Sequence, residues 1–128
     1  ENPIIGLTRF RPGQIHPWHF DTYQGVVKSY EEDGRPLSSE DQKRIRRYLI
    51  PLQDWHWGHF VQIGNSVLTH WKAGQAFTWD YGMYHLAVNA GIVPRVSAQI
   101  TGLETEESLH LSHEYEFLVN EYKTVDGD

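Results

Sequence analysis

HFVQIGNSVLTHWKAGQAFTWDYGMYHLAVNAGIVPRVSAQIT, residues 59–101, decides the fold class. Short apolar and aromatic runs recur along it, each closed by turn-forming residues: Gly64-Asn65, Lys72-Ala73-Gly74, Asp80-Tyr81-Gly82 and Ala90-Gly91. Glycine and asparagine tolerate the backbone angles that reverse a chain, so these points punctuate strands. The spacing predicts strands over 59–63, 66–71, 76–79, 85–89 and 95–101. Short strands at close, regular intervals are the signature of a β-sandwich or barrel.

Upstream the same texture continues. Residues 4–11 read as a first strand, broken by Pro12-Gly13. Residues 16–24 alternate as a second, and 26–30 continue it or pair with it until Glu31-Glu32-Asp33-Gly34. One stretch differs. Ser39 with Gln42 three residues on forms a capping box, predicting a brief helix over 40–45 before 46–52 return to strand. The expected organisation is all-β with one short helix. Residues 1–103 form the core, with a helical insert near 39–46. Residues 104–128 form an acidic extension, packed on the core or partly disordered, with His110 and His113 on its solvated surface.

Composition narrows the function classes. A chain of 128 residues supports one sizeable core, and a 13% aromatic share makes it ring-rich. No cysteine is present, which excludes disulfides, thiolate metal sites and cysteine nucleophiles. With no long apolar run and no basic-then-apolar leader, the expectation is a cytoplasmic protein without a membrane partner. A formal charge of −6 argues against nucleic acid as partner. The one basic cluster, Lys43-Arg44-Ile45-Arg46-Arg47, reads as the polar side of the helix. Oligomeric state is not legible.

The chemistry begins in His16-Pro17-Trp18-His19-Phe20-Asp21. On a strand, residues two apart share a face, so His19 and Asp21 project together and His16 projects oppositely, in a supporting or structural role. His85, opening a later strand just after the Asp80-Tyr81-Gly82 turn, supplies a third ligand. Two histidines and one carboxylate with open positions is the set used by non-heme Fe(II) oxygenases, and Zn²⁺ also accepts it. Arg95, Ser97 and Gln99 share one face of the last strand. A buried arginine needs an anion, and its guanidinium grips a carboxylate through two parallel hydrogen bonds.

His19-x-Asp21, then His85, then Arg95-x-Ser97 resembles the signature of the Fe(II)/2-oxoglutarate-dependent oxygenases. The resemblance covers residues 5–101 and implies a double-stranded β-helix, a jelly-roll barrel of eight strands. It implies that His19, Asp21 and His85 bind Fe(II), and that Arg95 and Ser97 hold the distal carboxylate of 2-oxoglutarate. Tyr48, in the position some members give to a tyrosine, would donate its hydroxyl to the oxoacid, and Arg46 shares its face. Trp18, Trp79 and Arg46 are candidates for the substrate pocket. The implied reaction couples oxidative decarboxylation of 2-oxoglutarate by O₂ to hydroxylation of a C–H bond, with no catalytic residue beyond the metal centre. The primary substrate is open between a peptide or protein side chain and a small molecule. Asp21 favours hydroxylation over halogenation, because related halogenases lack the carboxylate.

Residues 71–101 are also similar to the C-terminal half of aspartyl/asparaginyl β-hydroxylases. Gly13 ahead of His19, and Gly74, Gly82, His85 and Asn89, resemble the half-motifs of cupins, which share the same barrel. Asp21 stands where cupins place a second histidine, and Gly25 where they place a glutamate. The alternative is therefore a cupin-type metal-binding barrel, either a metalloenzyme that uses no oxoacid or a non-catalytic binding module.

Overall fold

A computed structural model of the chain describes residues 3–108. Eight strands and two short helices follow in the order β1 (Ile4–Phe10), β2 (Ile15–His19), α1 (Gln24–Glu32), α2 (Ser39–Gln42), β3 (Ile45–Pro51), β4 (His59–Ile63), β5 (Ser66–Leu68), β6 (Phe77–Thr78), β7 (His85–Asn89) and β8 (Arg95–Leu103). The strands form two four-stranded sheets, ordered β1-β8-β3-β6 and β2-β7-β4-β5. All pairings are antiparallel. This is the double-stranded β-helix.

Alternation explains why the sheets close on each other. In β4, His59, Val61 and Ile63 are buried while Phe60 and Gln62 are half-buried on the other face. Phe10 and Leu49 from one sheet meet Val61, Ile63, Leu68 and Ala87 from the other, with Trp71 and Trp79 filling the space between. Rings carry large apolar areas, so a domain of this size gains much of its core from a few of them. A second cluster joins Tyr23, Val26, Val27 and Tyr30 of the α1 region to Ile45 at the start of β3, with Leu37 and Leu103 against it.

Residues 26–30, expected as strand, are helical. Val26, Val27 and Tyr30 are β-branched and aromatic types common in strands. Their spacing nevertheless makes one buried helical stripe, and that burial overrides local preference. The helix ends where Gly34 takes a φ of 71°, the left-handed turn that suits a glycine past a helix C-terminus. The second strand is correspondingly shorter than expected, stopping at His19. The expected cap also moves by one residue. Ser38, not Ser39, caps α2: its Oγ accepts from the Asp41 amide at 3.1 Å and donates to the Asp41 carboxylate at 2.7 Å.

The end of the barrel remote from α1 is tied by a close backbone approach. Gly58 has a φ of 86°, and a β-carbon there would lie 2.2 Å from the Gly91 nitrogen. Asn89, fully buried, holds the adjoining turn: its side-chain amide donates to the Phe10 and Val93 carbonyls and its oxygen accepts from the Gly91 amide. Among the described residues no helix is long and apolar enough to cross a membrane.

Candidate metal centre

The register of two neighbouring strands builds the site. β2 pairs with β7 so that His19, the last residue of β2, lies directly opposite His85, the first of β7. Their ring centroids are 4.3 Å apart. Asp21 follows two residues beyond the end of β2 and brings its carboxylate to both. His19 Nε2 is 3.8 Å from Asp21 Oδ1, and His85 Nε2 is 3.4 Å from Asp21 Oδ2. One ligand atom from each residue lies within 4.8 Å of the others.

The second nitrogen of each ring decides what these atoms can do. His19 Nδ1 faces the Pro17 carbonyl at 2.7 Å, and His85 Nδ1 faces the Met83 carbonyl at 2.9 Å. A ring nitrogen facing a carbonyl carries the proton and donates it, so in each neutral imidazole the Nε2 lone pair points at Asp21. Burial, the largest influence on His85, pushes its pKa below 6.5, which favours the neutral ring. Two lone pairs then face a carboxylate whose Oδ2 is buried and accepts no hydrogen bond. That arrangement is repulsive when empty and attractive around a cation. Anchoring Nδ1 on a carbonyl is also how proteins orient metal-bound histidines. The residues therefore fit a divalent metal.

The surroundings hold Asp21 in turn. Arg47 Nη1 donates to Asp21 Oδ1 at 2.9 Å, and Arg47 Nε donates to Thr101 Oγ1 at 3.0 Å. Tyr23 lies beneath the guanidinium, 5.3 Å from ring centroid to Cζ. Burial first, then the Asp21 charge, hold the Tyr23 phenol above its ordinary range. The Trp79 ring sits 4.4 Å from that of His85.

A cavity of about 320 Å³ adjoins the two histidines. His19 and His85 line it together with Arg47, Leu49, Trp79 and Arg95. Arg95 is 3% exposed, with burial lowering its pKa to about 10. Its Nη1 reaches the Phe60 carbonyl only at 3.4 Å, its Nε has no partner, and its guanidinium rests 4.5 Å from the Phe10 ring centroid. Among the described residues no carboxylate pairs with it.

Several expected positions differ. His16 does not turn away. The β2–β7 register shifts between His16 and His19, and the two rings stack at 3.9 Å beside the cavity. Such an irregularity breaks the two-residue parity used to place it. Tyr48 and Arg46, expected inward, lie on the outer face of β3. Tyr48 sits opposite Thr78 and Ile100 in the ladders, and Arg46 pairs with Glu104 and Asp80. Arg46 and Tyr48 do share a face, as expected, but it is the outer one. Buried Leu49 marks the inner face, and Arg47 shares it. Ser97 is buried on the same side of β8 as Arg95 yet does not line the cavity. Trp18, 47% exposed, lies outside the cavity, whereas Trp79 is inside. His110 and His113 lie outside the described residues.

Burial also lowers the pKa values of His16 and His59 below 6.5, as it does for His85. The unfolded chain then binds more protons than the folded one just below pH 6.5. The stability of the metal-free protein is therefore full above that pH and falls as the pH drops through it. The lowered carboxyls, Asp41 and Asp54, act only below 3.8. Chemical denaturation on either side of pH 6.5 checks this, and an unchanged midpoint contradicts it.

No protein-family model matches the sequence, and no curated protein matches it. Solved structures match the fold. The chain resembles the cupin domain of Schizosaccharomyces pombe Cnp3 at 14% identity and a TM-score of 0.53, over 84% of this chain and 57% of that one. It resembles a predicted oxalate decarboxylase from Thermotoga maritima at 13% identity and a TM-score of 0.52, over 79% and 66%. A Klebsiella pneumoniae protein with a double-stranded β-helix domain matches at 17% identity and a TM-score of 0.51, over 79% and 67%. The chain thus corresponds to about two thirds of the length of these proteins or less. The likeness establishes the architecture, a double-stranded β-helix.

Proposed function

We propose that the chain is an Fe(II)- and 2-oxoglutarate-dependent oxygenase that hydroxylates an organic substrate. One observation carries the reading: two histidines, grouped with the Asp21 carboxylate, line a cavity that also holds a buried arginine with no carboxylate partner among the described residues. A metal-activating enzyme needs the first group. The second is explained by a co-substrate that brings its own carboxylate, since a buried guanidinium is stable when an anion meets it.

In this reading His19, Asp21 and His85 hold the iron. Bound iron supplies the O₂ chemistry, coupling conversion of 2-oxoglutarate to succinate and CO₂ with C–H hydroxylation. Arg95 receives the far carboxylate of the oxoacid through its paired N–H donors. Phe10, Leu49 and Val61 give the cavity an apolar wall, which strengthens that ion pair by excluding water. Asp21 occupies the position that a halide would need, which favours hydroxylation.

His16 supports a second reading. Its ring, stacked on His19, offers a third nitrogen near the centre, closer to a cupin-type site that acts on a small carboxylate directly. The likeness to the Thermotoga maritima protein described as a predicted oxalate decarboxylase points the same way. The experiment supplies Fe(II), ascorbate and O₂ with either 2-oxoglutarate or oxalate. Succinate from 2-oxoglutarate supports the oxygenase. Metal-dependent breakdown of oxalate without succinate supports the second reading, and neither product supports a non-catalytic binding module.

A further inference from the structure

We infer that Arg47 is a positioning residue that makes Asp21 a one-oxygen ligand. The inference rests on the metal-centre reading above and goes beyond it, because Arg47 is no part of that ligand set. Asp21 lies between the end of β2 and the start of α1, so no sheet ladder fixes its backbone. Its carboxylate must be held through its side chain. Arg47 does this from the other sheet, its Nη1 donating to Asp21 Oδ1 at 2.9 Å.

The guanidinium is itself constrained. Its Nε donates to Thr101 Oγ1 at 3.0 Å, from a threonine that is 5% exposed, and the Tyr23 ring packs against its face. A planar group held at two edges and one face cannot swing away from Asp21. Oδ1 is therefore committed. Oδ2, buried and without a hydrogen-bond partner among the described residues, is the oxygen that faces His85. A carboxylate with both oxygens free can chelate a cation through both and occupy two positions. With one oxygen engaged it supplies a single bond and leaves more positions for exogenous ligands.

The test uses the Co(II)-loaded full chain, whose visible d–d spectrum reports coordination number and geometry. Arg47→Gln removes the charge and the clamp. Its Co(II) band is expected to move in position and intensity from the parent's. Thr101→Val, which frees one edge of the guanidinium, is expected to move the band in the same direction by less. Loss of packing alone would lower the unfolding midpoint and leave the band where it was. An Arg47→Gln spectrum that superimposes on the parent's overturns the inference. If Arg47→Gln yields no folded protein, Thr101→Val decides, and a spectrum identical to the parent's again overturns it. A parent chain that takes up no Co(II) overturns the metal-centre reading instead.

Discussion

Replacing Arg95 by methionine is expected to weaken 2-oxoglutarate binding by ~30-fold or more while raising the unfolding temperature of the metal-free chain. The opposite signs follow from one fact: the guanidinium is buried and meets no carboxylate among the described residues. Burial brings its pKa down from the ordinary arginine range to about 10, which corresponds to ~3 kcal/mol against the charged form. The Phe10 ring and one long contact to the Phe60 carbonyl offset little of that. Exchanging a buried charged group for an apolar one of similar volume is commonly neutral or stabilising, by ~1–4 kcal/mol. Binding has the reverse sign. Losing one partner of a buried, hydrogen-bonded charge pair costs ~2–5 kcal/mol, which is about 30-fold to several thousand-fold in affinity. Arg95→Lys keeps the charge but loses the two-pronged grip, so its affinity is expected to fall between the two. Calorimetry measures both quantities. A methionine variant that unfolds at lower temperature and binds the oxoacid as the parent does would make Arg95 a structural residue.

His85→Ala is expected to lose stoichiometric metal binding. The substitution deletes one of the two ligand nitrogens and leaves His19 and Asp21, too few to hold a divalent ion against water. The loss in affinity should exceed the roughly 10–100-fold typical of removing an outer partner of a ligand. A thermal shift reads it directly. Metal at 100 times its dissociation constant stabilises a folded chain by ~2.7 kcal/mol, and that increment should vanish in His85→Ala. His56→Ala is the control, because His56 is not one of the three ligating residues and should leave the increment intact. Retention of one metal ion per chain at parental affinity in His85→Ala would remove His85 from the site.

Much of the barrel was legible because its strands are short, alternating and closed by glycine turns. Residues 59–63 and 85–89 were delimited from sequence alone and are β4 and β7. Arg95 and Ser97 were placed on the buried side of β8 by parity, and they are buried. What local pattern could not show was pairing between distant strands. His19 meets His85 because β2 and β7 lie side by side in a particular register, a contact between residues 66 apart in sequence. Parity also failed wherever the backbone departs from a regular strand. Asp21 is not on a strand at all, and it reaches the histidines through the chain's exit from β2. His16 was misplaced by the register shift beside it. The valines of α1 hid a helix whose burial against Ile45 and Leu103 is tertiary in origin. Arg47 was missed for a simpler reason. Leu49 already marked the inner face of β3, and Arg47 shares it.

The proposed function requires metal and oxoacid to meet at this cavity, with Arg95 holding the far end of the oxoacid. Anaerobic titration of 2-oxoglutarate into the Fe(II)-loaded protein tests it most directly. A visible charge-transfer band should grow to saturation at one oxoacid per chain, and Arg95→Met should need ~30-fold or more oxoacid to reach the same intensity. A parent protein that holds one Fe(II) per chain yet develops no band at saturating 2-oxoglutarate would contradict it.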